Sequence, residues 1–467
     1  MRVLTKVRPT DEQLPILQDY RPGYVLIRGA AGSGKTTTAV LRLRHVTGIW
    51  ANERERAESD LPVRVLVLTY NKTLRGYVEE LVKAQIEIEN FDLKLSTFDA
   101  WAMGVLGHPA IAVSENEIWA LGAGLGYDRR FLVDEVNYVL GRYLPENLGQ
   151  YSEDSDHPYY ERSGRGSVPR VEQRQRQRLV ADVIEPYREW KQMRGIDWSD
   201  VAVMMTSRTP ESGELWDIIV VDEAQDFSAN QIRAVTKHVA PIHSTTFVLD
   251  AIQRVYPRGF GSWTEVGIDL THSYQLKKNH RNTKQIAAFA APLVSDLPKE
   301  DDGTVPDVDS CEAEGPKPLL ISGRFAHQMD WIVGRIRDLP EGESVALLHA
   351  QGGGWFDYIE ERLTGAGIEY VDLQGRPEWP KGAEDVGLST LYSAKGLEFD
   401  HVIIVGLASS QLPHGPEDED TQMANHRRLV AMGAGRARLT LALTFKPGER
   451  SQVIDLLDPT TFDEVAV

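Results

Sequence analysis

Residues 29–36 read Gly-Ala-Ala-Gly-Ser-Gly-Lys-Thr, and this spacing of glycines, a lysine and a hydroxyl can bind a triphosphate. The segment lies between an apolar run at 24–27 and a helix-like run at 37–46. Glycines let the backbone turn its N–H groups towards phosphate, while Lys35 reaches the outer phosphates and Thr36 offers a hydroxyl to Mg²⁺. A glycine-rich turn without a ligand is the disfavoured alternative. The phosphate-binding candidates around Lys35 and Thr36 are Gly29, Gly32, Ser33, Gly34 and Thr37.

A second group of chemical residues, Asp-Glu-Ala-Gln-Asp at 222–226, follows the apolar run 218–221. Carboxylates at the carboxyl end of a parallel strand are well placed to face a ligand. Asp222 is the candidate ligand for Mg²⁺, and Glu223 is the candidate base that orients and deprotonates an attacking water. An acidic strand end exposed to solvent is the alternative, and the phosphate-binding segment upstream argues against it.

These candidates need a scaffold of parallel strands. Apolar runs rich in Val, Ile and Leu recur along the chain without polar alternation, and helix-like stretches separate them. Such runs are typical of strands buried on both faces of a parallel sheet, so the sequence predicts an α/β protein. The runs are 24–27, 65–68, 218–221, 246–249, 345–348 and 402–405.

The long interval between Thr36 and Asp222 predicts an inserted subdomain. Residues 103–200 contain helix-like patterns at 131–143 and 176–193 around a polar stretch at 149–169. Residues 298–318 are predicted to be an exposed connection, and the acidic loop at 413–421 to be solvated. The predicted domains are 1–102 with 201–275, the helical insertion 103–200, and a second unit at 276–467.

Composition limits the function classes. The 467 residues carry a formal net charge of −18, which disfavours binding of nucleic acid or acidic membranes through overall charge. The single cysteine, Cys311, excludes an intrachain disulfide and a cysteine-rich metal site. We find neither a signal-peptide core nor a run of about 20 apolar residues, so we expect a soluble, cytoplasmic enzyme.

The phosphate-binding segment and the acidic group together resemble those of the UvrD/Rep/PcrA-type superfamily 1 helicases. The resemblance covers most of the chain and implies two RecA-like lobes with ATP and Mg²⁺ between them. It implies that Gln13 reads adenine, Gln253 senses the γ-phosphate and Glu398 binds the ribose. Arg281 and Arg436 resemble the family's two arginine fingers, which would complete the catalytic set with Lys35 and Glu223.

The resemblance also implies a path for single-stranded DNA. The residues that match the family's DNA-binding segments are Tyr70, Asn71, Thr97, Phe98, Tyr256 and Thr390. Core packing is the open alternative for the aromatics Phe98 and Tyr256. An arginine-rich segment at 162–178 is a further candidate for phosphate backbone contacts, with a solvated, ion-paired helix face as its equal alternative.

Several positions depart from the family's pattern. His280 stands where the family has an aromatic that stacks on adenine, so His280 is a weaker candidate for binding the base. Gly433 and Gly435 in a predicted helix lower its stability by about 1 kcal/mol each. The short interval between Arg281 and the Lys-Gly-Leu-Glu-Phe segment at 395–399 predicts that the family's large second-lobe insertion, 2B, is absent. The other departures are Leu249, Tyr392 and Ala431.

The resemblance implies an ATP hydrolase that moves 3′ to 5′ along single-stranded DNA. Three points stay open: RNA as the strand, a protein partner in DNA repair or defence, and an ATPase switch that senses nucleic acid and signals without unwinding. A small-molecule P-loop kinase is disfavoured by the ordered set of motifs. We expect a monomer without membrane contacts.

Overall fold

The computed structural model describes residues 9–467 except 30–31, 70–71, 86–90, 154–170, 250–261, 298–307, 375, 377, 381, 383 and 414–421. Four of the predicted site residues, Tyr70, Asn71, Gln253 and Tyr256, lie outside the described residues. So do the acidic loop from 414 onwards and most of the polar stretch at 149–169.

The first half of the chain builds a six-stranded sheet in the order β3-β2-β4-β5-β1-β6. All neighbouring strands in it are parallel. Four predicted apolar runs lie in β1, β2, β4 and β5. The strands are β1 (Gly23–Gly29), β2 (Val63–Thr69), β3 (Phe91–Thr97), β4 (Trp216–Val221), β5 (Val239–Leu249) and β6 (Leu270–Leu276).

The second half builds a seven-stranded sheet in the order β11-β12-β10-β13-β14-β9-β15, again with parallel neighbours. A parallel two-stranded ribbon, β7 (Asn279–Thr283) and β8 (Cys311–Ala313), lies between the sheets in sequence. The remaining strands are β9 (Leu319–Ser322), β10 (Val345–His349), β11 (Tyr370–Asp372), β12 (Val386–Thr390), β13 (Phe399–Ile404), β14 (Ala437–Phe445) and β15 (Asp463–Ala466). The α/β class with parallel sheets is confirmed.

Eleven described helices belong to the first half and five to the second. The first set is α1 (Leu14–Gln18), α2 (Lys35–Arg56), α3 (Lys72–Gln85), α4 (Phe98–Leu106), α5 (Glu115–Gly122), α6 (Arg129–Arg142), α7 (Gly149–Ser152), α8 (Gln173–Arg178), α9 (Glu185–Gln192), α10 (Trp198–Ser207) and α11 (Ala229–Lys237). The second set is α12 (Lys284–Ala290), α13 (Phe325–Arg337), α14 (Gly354–Gly365), α15 (Gln422–Ala434) and α16 (Gln452–Asp455).

The central strands of both sheets are buried on both faces, as continuous apolar strands require. In β4, Ile218 and Val220 join a core with α2 and α3, whereas Ile219 and Val221 join the opposite core with α4, α10 and α11. The alternation places helices on either side of the first sheet. In the second sheet, Leu347 faces a core with α13 and α14, while Leu348 faces the core that continues to the first sheet.

Helices α5, α6, α7 and α9 share a separate apolar core that includes Ile118, Val136, Tyr151 and Tyr187. The predicted pattern at 131–143 corresponds to α6. The pattern at 176–193 spans α8 and α9, which a π-helical turn at Leu179–Ile184 joins. Helix α10 instead packs on the first sheet. Among the described residues, no helix combines the length and the apolar character needed to cross a bilayer.

Candidate functional site

The glycine-rich turn between β1 and α2 requires left-handed backbone at two positions. Gly32 has φ of +81° and Gly34 has φ of +76°, values that glycine adopts without the steric cost of a β-carbon. Gly34 also precedes the 22-residue helix α2 and contributes no side-chain cap. The first N–H groups of α2 therefore lie at a helix N-terminus that suits a bound anion.

The segment that carries Arg281 packs directly on this turn. The backbone N–H of His280 donates to the carbonyl of Gly32 at 3.0 Å. A β-carbon at Gly32 would also come within 2.8 Å of Asn282 Oδ1, which gives a second reason for glycine there. The ribbon strand β7 thus brings residues of the second half of the chain to the phosphate-binding turn.

Thr36 follows β1 in sequence and Asp222 follows β4, and their side chains are hydrogen-bonded to each other. Thr36 Oγ1 donates to Asp222 Oδ2 at 3.0 Å, and the backbone N–H of Glu223 donates to Asp222 Oδ1 at 3.0 Å. Burial, and after it the neighbouring Glu223 carboxylate, raises the pKa of Asp222 to about 7. A cation bound beside such a buried carboxylate stabilises the ionised form of the carboxylate.

Glu223 lies in the left-handed region at φ of +53°, an uncommon conformation for a residue with a side chain. Burial alone would raise the pKa of Glu223, but the positive charges of Lys395, Arg436 and Lys35 hold it below its ordinary value. The side-chain amide of Gln225 donates a hydrogen bond to Oε2 of Glu223. Glu223 is therefore an oriented carboxylate that is kept ionised, as a general base must be.

Arg281 and Glu398, predicted to contact different parts of a nucleotide, form an ion pair with each other. Arg281 also donates to the carbonyl of Gly435 at 3.3 Å. Burial would raise the pKa of Glu398, and the Arg281 guanidinium holds it below its ordinary value. The pair places two opposite charges in contact at the edge of the cavity that both residues line.

Arg436 follows α15 and is only 2% exposed. Its Nε donates to the carbonyl of Met432 at 3.1 Å. The prediction that Gly435 weakens a helix was wrong, because α15 ends at Ala434 and the carbonyl of Gly435 accepts from Arg281. Gly433 does lie in α15, where a β-carbon would overlap Leu391. Close packing of the helix explains this glycine.

A cavity that opens to solvent joins these groups, with about 330 Å³ of empty space when the solvent at its opening is included. One wall belongs to the first half of the chain and the other to the second, so the cavity lies at the seam between them. From the first half it is lined by Gly32, Gly34, Lys35, Thr36, Thr37 and Glu223, and from the second by Arg281, Gly396, Glu398 and Arg436.

Two further candidates are Ser33, within the turn, and Gln13, at the N-cap of α1. The hydroxyl of Ser33 is buried and has no hydrogen-bond partner among the described residues, as expected for a group that awaits a ligand oxygen. Gln13 is 3% exposed, and a β-carbon at Gly34 would come within 2.9 Å of its Nε2. Gly29 ends β1 beside Ser33. The ring of His280 instead lies near Glu312, with Nδ1 to Oε2 at 3.7 Å.

The donor set fits Mg²⁺, which prefers a few carboxylate or hydroxyl oxygens together with phosphate and water. Thr36 and Asp222 supply those oxygens beside the cavity. Among the described residues no group of three or more His, Cys, Asp or Glu could hold a metal by itself. A cation bound here would therefore depend on phosphate oxygens to complete its ligands.

The predicted DNA-binding aromatic Phe98 needs correction. Phe98 is 3% exposed and packs edge-on against Trp101 and Phe227 in the core of the first sheet, so its ring cannot stack on a base in this conformation. Thr97 caps α4 by accepting from the N–H of Ala100 at 3.3 Å. Thr390 ends β12, where its Oγ1 accepts from the N–H of Ser393 at 3.0 Å.

The arginine-rich segment is only partly a surface patch. Arg176 is 3% exposed and donates to the carbonyls of Tyr151 and Val171, so it is a structural residue rather than a phosphate contact. Arg178 is exposed and pairs with Asp182 at 3.1 Å. The arginines at 162, 165 and 170 lie outside the described residues.

Sequence reasoning missed the roles of Lys395 and Asp226. The two residues form a buried ion pair across the seam, and Lys395 Nζ also lies 3.6 Å from Glu223 Oε2. Lys395 belongs to the Lys-Gly-Leu-Glu-Phe segment and Asp226 to the Asp-Glu-Ala-Gln-Asp group, but the sequence alone assigned neither residue a function. A signal was available, because a lysine in an apolar segment beside the predicted ribose ligand needs a carboxylate partner when buried.

The comparisons with known proteins match segments of this chain to DNA helicases. A family model described as UvrD-like helicase C-terminal domain matches residues 374–447. The ATP-dependent DNA helicase Rep of Escherichia coli (strain K12) is 35% identical over 156 residues, which cover 31% of this chain and 23% of Rep. Over these segments the chain is similar to the UvrD/Rep/PcrA-type superfamily 1 helicases. The predicted resemblance is confirmed.

Further relatives match over different lengths. UvrD2 of Mycobacterium tuberculosis (strain ATCC 25618 / H37Rv) is 42% identical over 92 residues, covering 17% of this chain and 13% of that helicase. PcrA of Leuconostoc citreum is 24% identical over 291 residues, covering 58% of this chain and 37% of that helicase. The matches therefore span 13% to 37% of the length of these helicases.

A solved structure, the C-terminal domain of a possible DNA helicase from Lactobacillus plantarum WCFS1, also overlaps part of the chain. It has a TM-score of 0.30 and 19% identity, and the overlap covers 40% of this chain and 98% of that one.

Proposed function

We propose that this protein is an ATP-driven translocase or helicase that acts on single-stranded DNA and hydrolyses ATP in the cavity at the seam. The cavity is the observation that carries the proposal, because it brings Lys35, Thr36 and Glu223 together with Arg281 and Arg436. A lysine, a hydroxyl, a base and two arginines around one space match the requirements of phosphoryl transfer to water.

In this proposal the two sheets are the cores of two RecA-like lobes. The first lobe comprises 1–102 and 201–275, the inserted subdomain 103–200, and the second lobe 276–467. The separate core of α5, α6, α7 and α9 supports the insertion. The described part of the chain between Arg281 and Lys395 contributes to the ribbon, the second sheet and its covering helices, which supports the absence of the large second-lobe insertion.

Each residue of the cavity then has a task. Lys35 and the turn bind the outer phosphates, Gln13 contacts adenine, and Glu398 contacts the ribose after releasing Arg281. Mg²⁺, held by Thr36, Asp222 and phosphate oxygens, would neutralise charge on the transferring phosphoryl group. Glu223 orients the attacking water and takes its proton.

The seam provides the mechanical coupling. Because the phosphate-binding turn and the two arginines belong to different halves, the catalytic set is complete only when the halves approach each other. Arginines that neutralise the transition state in this way contribute on the order of 10³ to 10⁵ in rate. Hydrolysis and phosphate release would let the halves separate again, which moves a strand that both halves hold.

Single-stranded DNA is proposed as the substrate because the relatives are DNA helicases by name and because the ends of β3 and β12 carry Thr97 and Thr390. Movement from 3′ to 5′ follows the family resemblance. Binding would depend on local contacts, since the net charge of −18 opposes general attraction to a polyanion.

ATP hydrolysis measured with and without a panel of single- and double-stranded polynucleotides tests the proposal. We expect Mg²⁺-dependent hydrolysis that single-stranded DNA stimulates. A tailed-duplex assay then separates a helicase from an ATPase switch, which would be stimulated without unwinding. ATP hydrolysis that neither DNA nor RNA stimulates would contradict both functions. The Lys35→Ala variant serves as the control for contaminating ATPases.

A further inference from the structure

Lys395 is a deeply buried cation at the seam, and the proposed ATPase mechanism assigns it no task. Its side chain is 3% exposed, and it belongs to the turn between β12 and β13 in the second half. Its ammonium group pairs with Asp226, whose side chain is fully buried in the first half. The ion pair therefore joins the two halves of the chain through a contact from which water is excluded.

The partner loop carries the candidate base. Asp226 ends a short 3₁₀ turn that begins directly after Glu223, and its N–H donates to the carbonyl of Glu223 at 3.0 Å. Lys395 Nζ is also 3.6 Å from Glu223 Oε2. One ammonium group thus faces two carboxylates of the same loop, and Glu223 holds its left-handed conformation within that arrangement.

We propose that Lys395 is a positioning residue that links closure of the seam to the orientation of Glu223, through its ion pair with Asp226. The proposal rests on the proposed ATPase function for its catalytic consequence, although the link itself is a property of the protein without nucleotide. When the halves approach, the ammonium enters between the two carboxylates and fixes the loop. When they separate, the loop loses its contacts with Lys395.

The energetic reason is the cost of isolated buried charge. A buried charge that lacks its partner destabilises the protein. The closed arrangement is therefore favoured only when Lys395 and Asp226 are buried together as a pair. The cavity borders the same turn, because Gly396 adjoins Lys395 in sequence and lines it. Movement of the turn therefore changes the cavity and the loop at the same time.

Distance measurements between the halves test the link without any turnover. Spin labels on Lys237→Cys in α11 and Asp357→Cys in α14 would report the separation, because both sites are exposed whereas Cys311 is buried. We expect Lys395→Met and the nearly isosteric Asp226→Asn to broaden the nucleotide-free distance distribution towards longer separations. Lys395→Arg, which retains the charge, should remain closer to the parent protein.

Lys191→Met is the matched control. Lys191 is also 3% exposed and pairs with Asp197 at 2.7 Å, but both residues lie within the first half. This variant loses a buried ion pair of the same type without touching the seam, so its distance distribution should not change. If Lys395→Met does not fold, Asp226→Asn removes the same link with little change of shape and decides the question.

Kinetics supply the second measurement. We expect Lys395→Met and Asp226→Asn to lower kcat by on the order of 10²-fold with KM for ATP changed by less than about threefold, as misplacement of a catalytic group does. Folded variants with the parent distance distribution and parent kcat would overturn the proposal. If the parent protein hydrolyses no ATP, the proposed function fails, whereas the distance measurement still decides the link.

Discussion

The hydroxyl of Thr36 lies 3.0 Å from Oδ2 of Asp222, although 186 positions separate the two residues in sequence. β1 and β4 are separated in the sheet by β5, and both strands end at the same edge. The fold therefore places the N-terminus of α2, the hydroxyl of Thr36 and the carboxylate of Asp222 next to one another. The arginines of the second half face that point across the cavity.

Glu223→Gln should separate binding from chemistry. The amide keeps the shape of the side chain but cannot accept a proton, so we expect turnover to fall by about 10² to 10⁴-fold. Binding of an ATP analogue, measured by fluorescence titration, should stay within a few-fold of the parent protein. Full turnover by this variant would show that another group is the base.

Arg281→Ala should lower single-turnover hydrolysis by on the order of 10³-fold, the lower end of the range for arginine fingers. The change leaves Glu398 without the guanidinium that lowers its pKa, so thermal unfolding must be recorded beside activity. A folded variant with undiminished hydrolysis would exclude Arg281 from catalysis. Arg436→Lys provides the companion test, since its guanidinium is too buried for truncation to be harmless.

Gly433→Ala should destabilise the protein despite the better helix propensity of alanine. A β-carbon there would overlap Leu391 and lie 3.4 Å from Ile404 Cδ1, so we expect a loss of about 1 to 3 kcal/mol. Gly334→Ala in α13 is the matched control, because nothing lies within 4 Å of its β-carbon position. The control should gain up to about 1 kcal/mol. Equal shifts in chemical denaturation would contradict this account.

His349 should make stability depend on pH. Burial lowers the pKa of His349 to about 4, and its Nδ1 accepts from the N–H groups of Gln351 and Gly352. Because the unfolded chain binds this proton near pH 6.5 and the folded chain near 4, stability is lost as pH falls through that window. The loss approaches about 3 kcal/mol.

Thermal unfolding between pH 7 and 4.5 measures this effect against His349→Gln. The variant should show a smaller decrease of the melting temperature over that range. Parallel pH dependence in the two proteins would mean that other groups account for the acid sensitivity.

The strands and the phosphate-binding turn could be predicted because local sequence determines them. Apolar runs bounded by glycine and polar residues define β1, β2 and β4, and the turn requires glycine at two left-handed positions. The resemblance to relatives then indicated Arg281, Glu398 and Arg436. All three line the cavity.

Contacts between distant segments could not be predicted in this way. Burial of Phe98 depends on Trp101 and Phe227, and burial of Arg176 depends on carbonyls of other segments. The ion pair of Lys395 with Asp226 spans 169 positions, and neither residue's own neighbourhood identifies the other. Such pairings arise from packing of the two halves, which no local pattern encodes.

A crystal structure with a non-hydrolysable ATP analogue and Mg²⁺ tests the central claim most directly. The account predicts the γ-phosphate between Lys35 and the guanidinium groups of Arg281 and Arg436, with Mg²⁺ beside Thr36 and Asp222. A nucleotide bound outside this cavity, or both guanidinium groups directed away from its phosphates, would contradict the account.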